Sequence, residues 1–251
     1  MRESDLAEMM NLGGDERIYP ASMTKIMTAL LTIENLPDLN ETITVPEDIF
    51  EELTAQDASV AGFNPYEQPT VRDLLYGVLL PSGADACETL ARAVGGSEEG
   101  FVAMMNQKAE ELGLTNTHFE NCTGLHNDNH YSTCRDIAVL MSECLKSDTF
   151  REIVTREVYT TEATASHPEG ITLYDTMLHR FTSYEMSTTL ENGAVIEGGK
   201  TGFTDEAGQC LVSFAEYGGE EYILVTAEAM TDSGSAVDSI ADASTVYGRL
   251  Q

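Results

Sequence analysis

Tyr19-Pro20-Ala21-Ser22-Met23-Thr24-Lys25-Ile26-Met27-Thr28-Ala29-Leu30-Leu31 is the stretch on which the reading of the fold turns. Met23, Ile26, Met27, Leu30, Leu31 and Ile33 recur near the helical period with no Gly or Pro between them, which predicts a helix from Ala21 to Glu34. Asn35 and Pro37 end it. Ser22 falls at the start of that helix and Lys25 one turn later. Residues three apart share a face, so the hydroxyl and the amine can meet. A serine becomes a nucleophile only beside a base, and a lysine serves when burial lowers its pKa. The helix N-terminus also points N–H groups at any developing anion. Taken alone, the same residues read as a helix cap followed by a solvated lysine.

Upstream of this segment, residues 1–21 are polar and contain glycine. Downstream, Glu41 to Val45 alternates as a short strand does. The middle of the chain is rich in helix signals. Thr70 to Leu80 sets Val71, Leu74, Leu75 and Val78 on one face, and Pro81-Ser82-Gly83 breaks it. Ala84 to Val94 resumes and stops at Gly95-Gly96. Ser97 opens a helix to Leu112, with Glu98 and Glu99 in the first turn where the macrodipole favours acids. Residues 115–134 read as a polar loop, and Asp136 to Leu145 as a further helix.

The last third differs. Ile153 to Thr161 and Gly193 to Thr204 carry strand and turn signals. Gln209 to Glu216 and Glu221 to Ala229 read as strands joined at Gly218-Gly219, a hairpin signal. Ala236 to Leu250 reads as a closing helix. Strands gathered late and helices gathered in the middle predict an α+β fold, an antiparallel sheet flanked by helices with an inserted helical subdomain. Residues 1–251 form a single domain in this reading, with a sheet lobe at about 1–45 and 150–251 and a helical subdomain at about 46–149.

Composition narrows the function classes. The chain has 251 residues, 43 Asp and Glu against 13 Lys and Arg, and a formal net charge of −30. Such a polyanion repels phosphate backbones and anionic lipid, which argues against nucleic acid as a partner. No run approaches the ~18–20 apolar residues of a spanning helix. Arg2, Glu3, Asp5 and Glu8 interrupt any apolar leader, so the chain reads as cytosolic or as a trimmed mature form. Five cysteines cannot all pair within the chain, and none forms C-x-x-C. Most read as small buried hydrophobes, with a Cys122–Cys134 bridge left open. Met23, Met27, Met104, Met105 and Met141 fall on helical faces and read as core.

Lysine is scarce, with only Lys25, Lys108, Lys146 and Lys200. Lys200 lies in Gly199-Lys200-Thr201-Gly202, where a cation and a hydroxyl can hold a carboxylate and a glycine lets a substrate backbone come close. Pro81-Ser82-Gly83-Ala84 presents a second hydroxyl at a helix break. By composition alone, about 0.2 matches to S-x-x-K and about 0.03 to K-T-G are expected, a low false-positive rate for the two together and in order.

The three-part pattern S-x-x-K, S-x-N, K-T-G is that of penicillin-binding proteins and class A β-lactamases. The chain resembles the D-alanyl-D-alanine carboxypeptidases among the low-molecular-weight penicillin-binding proteins. The likeness extends through YPASMTKIMTALL, VRDLLYGVLLPSGADA, NTHFENCTGLHNDNHYSTCRDIAVLM and GGKTGFTDEAGQCLVSFA, over about residues 16–230. It implies the transpeptidase fold of that family and an extracytoplasmic serine enzyme of the cell envelope. That enzyme would remove the terminal D-Ala from peptidoglycan pentapeptide stems through an acyl-Ser22 intermediate and bind β-lactam antibiotics covalently. The resemblance makes Ser22 the nucleophile, Lys25 its base and Ser82 a proton relay toward the leaving amine. It gives Lys200, Thr201 and Gly202 to the substrate, and the backbone N–H groups of Ser22 and Phe203 to the oxyanion hole. It implies no cofactor and no metal.

Some positions depart from the family pattern. Ala84 stands where the middle motif has Asn, so one hydrogen bond to lysine or substrate is lost or supplied elsewhere. No Lys or Arg lies between Thr201 and Gly248, where the family often adds an arginine for the carboxylate. The stretch before Ser22 is short for the family's strand hairpin, and the family's C-terminal β-domain and membrane anchor have no counterpart before Gln251. These departures keep a non-catalytic binder of wall peptide or β-lactam as the alternative. A class A β-lactamase is disfavoured, because Leu36 precedes Leu39-Asn40 where the deacylating Glu would stand and Glu111-x-x-Leu114 continues with Thr115. His126 and His130 around Asp128 invite a metal reading, but a loop without H-e-x-x-H spacing favours loop ordering.

Overall fold

The structure is a computed structural model, and it describes residues 1–229 and 237–251. After a two-residue strand β1 (Arg17–Ile18), the chain makes a 3-10 turn over Ala21–Thr24 and enters helix α1 (Lys25–Asn35). Every residue of α1 from Lys25 to Thr32 is buried, so this helix runs through the interior. A helix buried all round must satisfy its polar side chains internally. Thr28 donates to the Cys122 carbonyl at 2.7 Å, and Thr32 to the Thr28 carbonyl at 2.8 Å.

Around α1 pack α3 (Val71–Leu79), α4 (Ala84–Gly95) and α5 (Glu98–Glu111), with α2 (Ile49–Ala55) against α4. Strand β2 (Ser132–Thr133) pairs antiparallel with β1 and leads into α6 (Cys134–Leu145), followed by α7 (Asp148–Val154). The sequence sets these boundaries through caps. Thr70 and Asp73 form a reciprocal capping box on α3, Ser97 caps α5 through the Gly100 N–H, and Thr133 caps α6 through the Asp136 N–H.

A hairpin of β3 (Val158–Thr160) and β4 (Thr172–Tyr174) then lies across α3. Tyr159 stacks on Tyr76 at 3.7 Å between ring centroids and donates to the buried Asp73 at 2.9 Å. Helix α8 (Leu178–Ser183) follows. The main sheet is β5 (Val195–Thr204), β6 (Gly208–Tyr217) and β7 (Glu220–Ala229), antiparallel in that order. Gly218 and Gly219 both take positive φ, +65° and +86°, which the two-residue turn between β6 and β7 requires. Helix α9 (Asp238–Tyr247) closes the chain.

Side-chain alternation along β6 divides the interior in two. Cys210, Val212 and Phe214 face the large core of α1 and its neighbours, while Leu211 and Ala215 face a smaller core with Phe181, Ile240, Ala243 and Tyr247. The Tyr247 hydroxyl is buried there and donates to the Ser213 carbonyl at 2.8 Å. The architecture is the α+β arrangement expected from the sequence.

Several elements differ from expectation. Glu41–Val45 is an extended segment with one bridge, Thr42 to Thr70, because it borders a loop at residues 66–69 and has no strand to pair with. Ile153 and Val154 finish α7, so the strand expected from Ile153 begins only at Val158. The short helices α2, α7 and α8 are too brief for periodicity to reveal. The closing helix starts at Asp238, and Ala236 of the expected span lies outside the described residues. All five cysteines are free thiols, so Cys122 and Cys134 are not bridged.

Candidate active site

The nucleophile candidate sits in a strained turn. Ala21 has φ +46°, an uncommon value for a residue with a side chain. Two glycines press against it. A Cβ on Gly124 would lie 1.9 Å from the Ala21 carbonyl oxygen, and one on Gly202 would lie 3.0 Å from the Pro20 oxygen and 3.1 Å from the Ser22 nitrogen. Gly202 therefore lets β5 run directly beside the turn that carries Ser22.

Lys25 Nζ lies 2.9 Å from Ser22 Oγ and 2.6 Å from the Thr123 carbonyl oxygen. The lysine is 3% exposed, and burial drives its pKa below the ordinary lysine value, opposed by Cys87, Cys122 and Asp85. An amine so placed can be neutral and accept a proton. The Ala84 side chain offers no hydrogen bond, and the second acceptor at Lys25 is the Thr123 carbonyl.

Ser82 ends the break between α3 and α4 at φ +67°. Its hydroxyl is buried, and no protein group among the described residues accepts from or donates to it. The turn is held from outside. Asp85, fully buried, accepts from the Ala61, Gly62 and Phe63 N–H groups at 2.7, 2.9 and 3.0 Å, and the Ala84 N–H donates to the Ser59 carbonyl at 2.7 Å. A Cβ on Gly83 would meet Ala61 at 2.6 Å. The turn that carries the unpartnered Ser82 hydroxyl is thus held in place, and a buried hydroxyl without a partner is an exception that asks for a role.

Lys200 lies on β5 opposite Val212 and is fully buried, with its Nζ donating to the Thr201 carbonyl at 3.0 Å. Burial and then the nearby Lys25 lower its pKa, to about 7, while Asp175 opposes the shift. Asp175 is itself buried and pushed up to about 7 by desolvation, against hydrogen bonds from the Leu178 and Met177 N–H groups and the Lys200 charge. The Thr201 hydroxyl lies 2.6 Å from that of Thr176, whose N–H donates to the Leu80 carbonyl two residues before Ser82. Phe203 leaves its ring 55% exposed at the outer end of this strand.

The structure thus joins Ser22 to Lys25 directly, sets Gly202 against the Ser22 backbone, and couples Lys200 electrostatically to Lys25. Sequence reasoning missed Asn121, Thr123, Asp175 and Thr176. Of these, Asn121 had a signal, an Asx residue three positions before Gly124 in a polar loop. Asp175 and Thr176 had none, since only chain crossing brings them to β5.

The histidines part company. His130 is 2% exposed, and its Nδ1 accepts from the Glu120 N–H at 3.2 Å, so its Nε2 carries the proton given to Thr24 at 2.8 Å. Burial lowers its pKa to about 3, and both ring nitrogens are taken by protein groups. His126 packs edge-on against Tyr19 at 4.8 Å, with Glu206 3.8 Å from its Nδ1. Among the described residues, one group could bring three donor atoms within 4.8 Å of one another: Glu88, Glu98 and Cys122. There the Cys122 N–H donates to Glu98 at 3.2 Å and its thiol to Glu88 at 3.5 Å.

Comparison with known proteins shows the family. A sequence profile of the D-alanyl-D-alanine carboxypeptidase family matches residues 9–231. The chain is 35% identical to D-alanyl-D-alanine carboxypeptidase DacF of Bacillus subtilis over 91% of its own length and 56% of that protein's. It is 36% identical to the D-alanyl-D-alanine carboxypeptidase of Streptomyces sp. (strain K15), over 83% of this chain and 72% of the relative. The chain spans little more than half the length of DacF and of Escherichia coli DacC, 56% and 52%. The crystal structure of the Streptomyces K15 DD-transpeptidase superposes with a TM-score of 0.83 at 31% identity, covering 99% of this chain and 94% of that one. Penicillin binding protein 5 from Haemophilus influenzae superposes with a TM-score of 0.79 at 27% identity, covering 96% and 67%. The chain belongs to the D-alanyl-D-alanine carboxypeptidase family.

Proposed function

We propose that the chain is the catalytic domain of a serine D,D-carboxypeptidase that removes the terminal D-Ala from peptidoglycan pentapeptide stems. The observation that carries the reading is the 2.9 Å contact between the buried Lys25 Nζ and Ser22 Oγ. Neutral Lys25 takes the Ser22 proton as Oγ attacks the carbonyl between the two D-Ala residues. The oxyanion is received by the N–H groups of Ser22 and Phe203. Lys200 and Thr201 hold the terminal carboxylate, and Ser82 passes a proton to the leaving amine. D-Ala departs, leaving an ester on Ser22. Water activated by Lys25 then releases the shortened stem.

β-Lactams acylate Ser22 by the same route in this reading. The protein works outside the cytoplasm, at the cell envelope where its substrate lies. The helical block at about 46–149 and the sheet lobe at about 1–45 and 150–251 form the two sides of the cleft. The alternative, a non-catalytic binder, draws on Ala84 and on the absence of Lys and Arg between Thr201 and Gly248.

Intact-protein mass after brief exposure to benzylpenicillin tests both. A single adduct that is absent in Ser22→Ala, together with D-Ala release from a pentapeptide, supports the carboxypeptidase. An adduct without D-Ala release supports the binder. Neither adduct nor penicillin destruction sinks both.

A further inference from the structure

Lys25 depends on a loop that the three motifs do not include. As a neutral amine it has two N–H groups and one lone pair, and only the lone pair can take the Ser22 proton. A partner that can only accept must claim an N–H and so turn the lone pair toward the hydroxyl. The Thr123 carbonyl, 2.6 Å from Nζ, is such a partner. With Ala84 in the middle motif, no side chain at that position shares the task.

What places the Thr123 carbonyl is Asn121. Its Oδ1 accepts from the Gly124 N–H at 2.7 Å, the Thr123 hydroxyl at 3.1 Å and the Thr123 N–H at 3.2 Å. Its Nδ2 donates to the Leu125 carbonyl at 2.9 Å. One side chain therefore bonds three residues of the turn and fixes the plane of the Thr123 peptide. The floor of the turn is pinned by Cys122, whose N–H meets Glu98 and whose carbonyl meets Thr28 of α1. The roof is Gly124, at φ +83°, against Ala21.

We infer that Asn121 is a positioning residue for acylation, holding the Thr123 carbonyl where it orients the Lys25 amine toward Ser22. The inference rests on Lys25 acting as the base. The titratable and charged groups around Lys25 are Asp85 and Cys87 of α4, Cys122 of the loop, Lys200 of β5 and His130. None of them is altered by a change at Asn121.

The test is the rate of acylation by benzylpenicillin from pH 6 to 10 in wild type, Asn121→Ala and Asn121→Asp, with melting temperature and active-site titration for each. In Asn121→Ala the plateau should fall about a hundredfold, the scale of a catalytic group misplaced by an ångström. Its rising limb should also move to lower pH, because the buried ammonium loses an acceptor. General loosening would admit water and move the limb upward, which would overturn the inference. So would a profile that matches wild type once corrected for active protein. Asn121→Asp keeps the acceptor oxygen and should retain most of the plateau, with the limb displaced upward by the added negative charge. A plateau in Asn121→Asp as low as in Asn121→Ala would also overturn it. If Lys25→Ala acylates at the wild-type rate, the reading of Lys25 as base fails first. If only the Asn121 variants behave as wild type, this inference fails alone.

Discussion

On the helix side of the candidate site, Lys25 is 3% exposed, touches Ser22 and the Thr123 carbonyl, and lies on a helix whose first eight residues are buried. On the strand side, Lys200 is fully buried, bonds the Thr201 carbonyl, and faces Asp175. Burial lowers both pKa values, yet in the proposed reading the useful states are opposite. Lys25 needs to be neutral to accept a proton, and among the described residues nothing at hydrogen-bond distance from it carries a negative charge. Lys200 needs to be charged to hold a carboxylate, and Asp175 opposes the loss of its proton. Desolvation alone does not assign a role to a buried lysine; its companions do.

The largest effect expected is from Lys25→Ala, which removes the base. Acylation by benzylpenicillin should fall about 10²- to 10⁴-fold, the usual contribution of general-base catalysis. Rapid-quench mass spectrometry reads this directly, and a wild-type rate would erase the contrast between the two lysines.

Next comes Lys200→Met, which should leave the acylation step able to proceed but weaken binding of the substrate carboxylate. A charge-assisted hydrogen bond worth about 1.5–3 kcal/mol corresponds to a KM raised roughly 10- to 150-fold. The pH dependence sharpens the point. Lys200 titrates at about 7, so it is charged below that pH and loses its charge above it. For an acyl-D-Ala-D-Ala peptide, kcat/KM should therefore decline as pH rises through about 7. The C-terminal amide of the same peptide should lack that declining limb, and a decline shared by both peptides would assign it elsewhere.

The smallest effect concerns the support behind Lys25. Glu88 is raised to about 8, by burial first and then by Glu98. A carboxyl with a raised folded pKa stabilises the fold below its unfolded value of 4.5 and loses that contribution as pH climbs through about 8. Glu88→Gln should therefore match wild type near pH 5 and melt roughly 2–4 °C higher at pH 9, about 1 kcal/mol for a chain of this size. Equal melting curves at both pH values would remove the buried carboxyl from the account of the loop under Thr123.

Much of this is legible in the sequence. The Gly218-Gly219 turn, the cap at Ser97 and the Ser22–Lys25 contact all rest on residues at most a few positions apart. Short-range geometry of that kind is carried by spacing and side-chain type. The isolated bridge at Thr42 and the late start of β3 were not legible, because a strand exists only where a partner strand arrives.

The sequence by itself determined the α+β order, the family and the residues of the three motifs. Tertiary structure alone decided what surrounds them. It brought the Thr123 carbonyl 98 positions along the chain to Lys25, and the Thr176 hydroxyl 25 positions to Thr201. It also removed water from both lysines. Desolvation and contact across the chain depend on which elements pack together, and no local pattern encodes them.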